Sequence, residues 1–319
     1  MNNMCLEFEA GLYRLDPEAW LTRLEDVSEE HGHFVPLGPD HCATFLDAGT
    51  NLLVTFENAL TIRKSHPDHE PIGFRFTRTE GWSHLAIISH GESWFRAPQI
   101  ARYFDRLIDD GFFDDFENVL FYGTNGGGYA AAAYSVAAPG CNVLALRPQA
   151  TLDPRIAGWD TRYPQQRRTD FSKRYGYAPD MIDAANHAFI GFDPMQRLDA
   201  IHAAMFTRAN VTPLRCTGLG NRLGFTLHAM DILEDMMIHA MNKTLTEEIF
   251  NTLRRARREN ITYLRNLYTR MMATDHPTLA ANVCVFALRL GDNAFFSAKL
   301  EELQDAGHAP TSKLNTDAA

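Results

Sequence analysis

Apolar residues recur along this chain at two spacings. Between 12 and 31, Trp20, Leu21, Leu24 and Val27 fall on one face behind Asp16-Pro17, which predicts a short amphipathic helix. A loop carrying Gly and Pro follows over 31–40. Runs 43–46 and 51–56 read as strands parted by a turn at 48–50, and 73–76 and 83–89 are further strand candidates. Pro98 opens a helix over 99–110. The centre then alternates, with apolar strands at 118–122, 142–146, 188–192 and 210–216 and helices at 126–138, 180–185, 199–207 and 223–240. Short apolar strands alternating with helices predict the α/β class, a mainly parallel sheet with helices on both faces. Beyond it, Thr244 and Glu247 fit a capping box. Ile249, Phe250, Leu253, Tyr263, Leu264, Leu267 and Tyr268 follow as an apolar stripe, with two short helices at 279–289 and 294–306.

The expected organisation is an N-terminal helix and linker (1–40), an α/β domain (41–243), a C-terminal helical appendage (244–307) and a disordered tail (308–319). A cap-like insertion is expected near 155–180, within the α/β domain. No internal repeat is evident.

Composition narrows the function classes. The net charge is −10, concentrated at the start, where residues 1–70 carry thirteen acids against four bases. A nucleic-acid binder needs a basic excess, so none is expected. No run approaches the ~18 apolar residues of a membrane span. Residues 1–10 lack the basic and apolar regions of a signal peptide. Cys5, Cys42, Cys141, Cys216 and Cys284 are scattered, without a CxxC pair. A cytoplasmic protein is expected, with Cys141 and Cys216 as packing residues.

The chemistry concentrates in Asn118-Val-Leu-Phe-Tyr-Gly-Thr-Asn-Gly-Gly-Gly-Tyr-Ala130. This reads as strand, sharp turn and helix. Its centre, Gly123-Thr124-Asn125-Gly126-Gly127, has the G-x-S-x-G spacing of a nucleophile elbow, with Asn where Ser would stand. Small residues belong there because strand and helix approach closely around the strained central residue. The competing reading is a glycine-rich phosphate cradle at a helix N-terminus, but no Walker lysine follows.

Residues from about Leu46 to Leu303 resemble a little-characterised group of bacterial α/β-hydrolase-like proteins. The likeness is carried by LLVTFEN (52–58), GWSHLAIIS (81–89), FYGTNGGGYAAAA (121–133), PQATLDP (148–154), RYGYAPDM (174–181), FDP with DAIHAAMF (192–206) and GLGN (218–221). Some members carry the name phosphoadenosine phosphosulfate reductase. This chain lacks both the Gly-rich phosphate loop and the C-terminal Cys motif of that chemistry. Better-preserved relatives have Ser at the elbow and His in the late turn. The resemblance therefore implies an α/β-hydrolase-like fold with Asn125 in the nucleophile place, Asp193 in the acid place and Asn221 in the base place. An amide is neither an oxygen nucleophile nor a base. The N–H of Gly126 would remain as half of an oxyanion hole.

Other groups compete for roles. Asp199 and His202, three apart on a helix, share a face and form either an acid–base pair or a packing pair. Thr124 adjoins the tip with its side chain expected to point away, and His228 lies two turns beyond Asn221. His84, His90 and Glu92 lack the spacing of a metal site, and no motif implies a metal or cofactor. Arg162, Arg167, Arg168, Lys173 and Arg174 cluster with Tyr163, Phe171, Tyr175 and Tyr177 in the expected cap, and Arg147 and Arg155 share that edge. They form either an anion-binding rim or a solvated lid. The run Arg254-Arg255-Ala-Arg257-Arg258 reads as a solvated helix face.

The leading expectation is a non-hydrolytic binding protein for a small anionic ligand or a protein partner. Its candidate ligand-binding residues are Thr124, Gly126, Arg147, Arg168, Arg174 and Tyr177. The alternatives are a hydrolase or acyltransferase using Asp193, Asp199 and His202, and a structural partner docking through the C-terminal helices.

Overall fold

The computed structural model describes residues 6–66, 68–91 and 93–311. Cys5 and Glu92 lie outside them, as does the expected tail beyond Thr311. Eight strands form one sheet: β1 (Gly32–Pro36), β2 (His41–Leu46), β3 (Asn51–Asn58), β4 (Ser83–Ser89), β5 (Asn118–Thr124), β6 (Asn142–Leu146), β7 (His187–Phe192) and β8 (Val211–Arg215). Their spatial order is β1-β2-β4-β3-β5-β6-β7-β8. β2 runs antiparallel to both β1 and β4, and every other pairing is parallel. The fold is α/β-hydrolase-like, a mainly parallel sheet with helices on both faces and a C-terminal helical appendage.

Alternation along the strands sorts side chains between the two faces. Val54, Phe56, Phe121, Val143 and Ile190 enter a core under α4 (Pro98–Asp109), α5 (Gly126–Tyr134) and α8 (Arg197–Ala203). Leu53, Leu120, Tyr122, Leu144 and Phe189 enter the opposite core. That core lies under α3 (Ile72–Glu80), α9 (Leu223–His228) and α10 (Leu233–Met241). Beside it, α1 (Pro17–His31) buries Trp20, Leu24 and Val27 against β2 and β4. Burial on both faces explains why the central strands are mostly apolar: all seven residues of β4 are buried, Ser83, His84 and Ser89 with them. Helices α12 (Ile261–Ala273), α13 (Pro277–Leu290) and α14 (Ala294–Asp305) have their own core around Leu264, Cys284 and Phe296, and the short helices α2 (Ala59–Ser65), α6 (Pro154–Ala157), α7 (Ala178–Met181) and α11 (Glu247–Leu253) complete the series.

Several expected elements are corrected. The stretch 31–40 is not all loop, because β1 pairs Gly32 with Leu46 and Phe34 with Thr44. Residues 73–76 form no strand. They belong to α3, which buries Gly73, Phe74, Phe76 and Thr77 at helical spacing. A Cβ at Gly73 would lie 2.1 Å from the His84 ring, so this glycine makes room for a buried histidine. The expected helix 223–240 is two helices, separated where Asp231 takes φ 55°. The cap of the next helix (Glu247–Leu253) is Thr246, which accepts from the Ile249 N–H; Thr244 instead bonds His239. At the described end of the chain, the Thr311 N–H donates to Asn282 Oδ1.

Candidate functional site

Asn125 alone makes the turn from β5 into α5, with φ 53° and ψ −121°. Such a backbone costs a non-glycine residue about 1–3 kcal/mol. Tight packing fixes it. A Cβ at Gly123 would meet the Gly127 carbonyl oxygen at 2.2 Å, and one at Gly127 would meet the Phe56 carbonyl oxygen at 2.2 Å. The Asn125 N–H donates to the Leu146 carbonyl at 2.9 Å, tying the turn to the end of β6. The asparagine side chain stands exposed at the C-terminal edge of the sheet, where open α/β sheets bind ligands.

Arg147, the residue after β6, organises what surrounds it. Its backbone is also left-handed, at φ 54°. Its Nη1 donates to Asn125 Oδ1 at 2.8 Å and to the Asn221 carbonyl at 2.5 Å, and its Nε donates to Asp199 Oδ2 at 2.5 Å. Asn125 and Asn221 are thus brought together, through the side-chain oxygen of one and the backbone oxygen of the other.

Behind Arg147 the charges alternate inward. Arg162 bonds Asp199 with Nη1 and Asp160 with Nε and Nη2. His202 Nε2 lies 3.0 Å from Asp160 Oδ2, and its Nδ1 accepts the Ala150 N–H at 3.2 Å. That acceptor role puts the ring proton on Nε2, so the imidazole is neutral and donates to Asp160. Burial pushes the His202 pKa down, against the pull of Asp160. For Asp160, burial opposes ionisation, but bonds from Arg162 and His202 prevail and hold its pKa at about 2. The expected Asp199–His202 pair does not form. Asp199 is taken by Arg147 and Arg162, and His202 by Asp160.

Asp193, at the end of β7, is buried and accepts three backbone N–H groups: Met195 (3.0 Å), Gly218 (3.1 Å) and Gly220 (2.8 Å). Its carboxylate shapes the turn that delivers Asn221.

A cleft of about 790 Å³ opens beside Asn125. Thr124, Asn125, Gly126, Arg147, Asn221 and Arg222 line one part, and Trp94 and Tyr163 stand over it. Thr124 lines the cleft wall too, packed so closely that a Cβ at Gly224 would lie 2.6 Å from its methyl. Trp94 lies against Gly126 and is itself left-handed at φ 47°. Glu57, His66, Arg75, Tyr122, His228 and Glu234 line another part. Arg75 pairs with Glu234 at 2.9 Å, and His228 lies 3.2 Å from the same carboxylate, whose closeness raises the His228 pKa. Burial raises the pKa of Glu57, against the opposing influence of His66, Thr55 and Ile72.

Arg168, Arg174 and Tyr177 do not line this cleft. Arg174 pairs with Asp105 of α4 at 2.9 Å, and Tyr177 packs against the core. Glu57 and Arg75 escaped notice. Period-2 counting on β3 marks Glu57, a carboxylate between buried residues at a parallel strand's C-terminal end. Arg75 was hidden by taking its helix for a strand. Among the described residues, no group of three or more His, Cys, Asp or Glu is arranged to hold a metal. None of their helices is long and apolar enough to cross a membrane.

No family model and no curated protein matches the chain. Among solved structures, it is similar to the carboxylesterase EstE1 cloned from a metagenomic library, at 12% identity over 76% of this chain and 98% of that one, with TM-score 0.41. It is also similar to an esterase from Pyrobaculum calidifontis, at 14% identity over 78% and 93%, with TM-score 0.41. A third is brefeldin A esterase, described as a bacterial homologue of human hormone-sensitive lipase, at 12% identity over 65% and 74%, with TM-score 0.39. The fold assignment stands on strand order and direction.

Proposed function

We propose that this protein uses the site of an α/β-hydrolase to bind, without hydrolysis, a small molecule bearing a carboxylate or phosphate. The left-handed turn at Asn125 supports reading it as a nucleophile elbow that has lost its nucleophile. The observation that carries the proposal is Arg147, whose guanidinium bridges Asn125 Oδ1 and the Asn221 carbonyl. Arginine only donates, so Asn125 turns its oxygen toward Arg147 and its amide N–H groups toward the cleft. Arg147 Nη2 bonds nothing among the described residues. Donors therefore converge where a serine enzyme would need a nucleophile and a base, an arrangement suited to an anion.

The alternative set of Asp193, Asp199 and His202 gains no support, since each is committed to the partners described above. The test is labelling with a fluorophosphonate and turnover of acyl esters, together with the shift in melting temperature caused by small carboxylates and inorganic phosphate. The expected result is no labelling and an anion-dependent rise in melting temperature that Arg147→Gln abolishes. Ester turnover that Asn125→Ala removes would overturn the proposal.

A further inference from the structure

Glu57, next to last in β3, stands in the cleft wall, one residue past the Phe56–Gly123 register and so beside Thr124, with its side chain 8% exposed. Its neighbours leave it without a firm cation. Arg75 is held by Glu234 and Arg78 by Glu70. His66 Nδ1 is 4.0 Å from Glu57 Oε2, but that nitrogen bonds the Glu70 carbonyl at 2.7 Å and must be the donor there. Each Glu57 oxygen instead accepts one neutral bond: Oε1 from the Thr55 hydroxyl at 2.6 Å and Oε2 from the Ile72 N–H at 3.1 Å.

The direction of the Thr55 bond is set from behind. Thr55 Oγ1 also lies 2.9 Å from His84 Nε2, and His84 Nδ1 is buried without a hydrogen-bond partner. A proton on Nδ1 would strand a buried donor, which folded proteins tolerate less than an under-used acceptor. The His84 proton therefore sits on Nε2 and is given to Thr55, which passes its single hydrogen to Glu57. A proton on the Glu57 carboxyl then finds no acceptor among these partners, and the cleft is the remaining direction.

We infer that Glu57 is a ligand-binding residue that offers the hydrogen of a neutral carboxylic acid to the cleft. It thereby selects molecules with a carbonyl or hydroxyl oxygen in addition to the anionic group held at Arg147. This rests on the anion-binding role proposed above and names the second half of its ligand. Burial acts on Glu57 in the same direction, favouring its neutral form.

Two experiments on the full chain separate this inference from the one beneath it. Infrared difference spectra of wild type against Glu57→Gln at neutral pH should show a protonated-carboxyl stretch lost in the variant. Loss of ionised carboxylate bands instead overturns the inference whatever binds. Calorimetry with 4-oxopentanoate and pentanoate compares two acids that differ by one ketone oxygen. Wild type and Glu57→Gln, whose amide also donates, should prefer the oxo acid about fivefold. Glu57→Leu should bind the two equally. A preference absent from wild type, or persisting in Glu57→Leu, overturns the inference. Arg147→Gln should weaken both acids together. If wild type binds neither, the ligand class falls along with the anion site, while the infrared band still decides the state of Glu57.

Discussion

Asp199→Leu should be among the most damaging single substitutions near the cleft. The Asp199 side chain is 1% exposed and lies between Arg147 Nε and Arg162 Nη1. Without it, Arg162 keeps Asp160, but Arg147 keeps only two neutral oxygens, from Asn125 and Asn221. Removing one partner of a buried ion pair costs about 3–5 kcal/mol, against under ~1 kcal/mol for an exposed pair. Whole domains are stable by about 5–15 kcal/mol, so about a fifth or more of the total is at stake. Urea unfolding should show a midpoint lowered by about 1 M or more with an unchanged slope. Tryptophan fluorescence provides the signal, and the Trp159 ring, 4.6 Å from that of His202, reports on this network locally. Arg147→Met added to Asp199→Leu should restore part of the loss, because the stranded cation is gone. A loss below about 1 kcal/mol, or a double variant no better than Asp199→Leu alone, would refute the reasoning.

Three further outcomes are expected. Asn125→Ser alone should leave purified protein inactive on acyl esters, and Asn125→Ser with Asn221→His should give at most a trace, because a triad works as a unit and Arg147 crosses both places. Stability should fall as pH drops below 6.5: unfolded chains protonate His84 there, whereas burial delays native protonation to about pH 3. That slope is about 1.4 kcal/mol per pH unit from His84, to be read from urea midpoints, and His84→Phe should flatten it. Asp193→Ala should release the N–H groups of Gly218 and Gly220, seen as faster hydrogen exchange at those two amides with α5 unaffected.

The sheet was legible in the sequence because β3 to β7 are buried on both faces and are mostly apolar, with few polar residues such as Thr55, Glu57 and His84 among them. The strained turn was legible because only glycines fit beside it. The misread elements were those in which tertiary contacts decide. Residues 73–76 show alternation, yet Gly73 and Phe76 belong to a helix packed on His84 and Trp82. Spacing alone paired Asp199 with His202, since a helix puts them on one face. The partners that separate them, Arg162 and Asp160, come from a segment some forty residues earlier, which no local pattern links to them. The arginines between 162 and 174 were visible as charge, but which of them enters the site depends on the path of an irregular loop. Of that cluster, Arg162 reaches inward while Arg174 stays outside against Asp105.

Arg147 also bears on ancestry. If a serine hydrolase preceded this protein, the way back is barred by more than two asparagines. Restoring the serine and histidine leaves a guanidinium across the space between them, and deleting the arginine first leaves a buried carboxylate facing one partner instead of two. Every order of single steps then passes through a less stable or inert form, so a gain of hydrolysis at this turn is opposed by the arginine beside it.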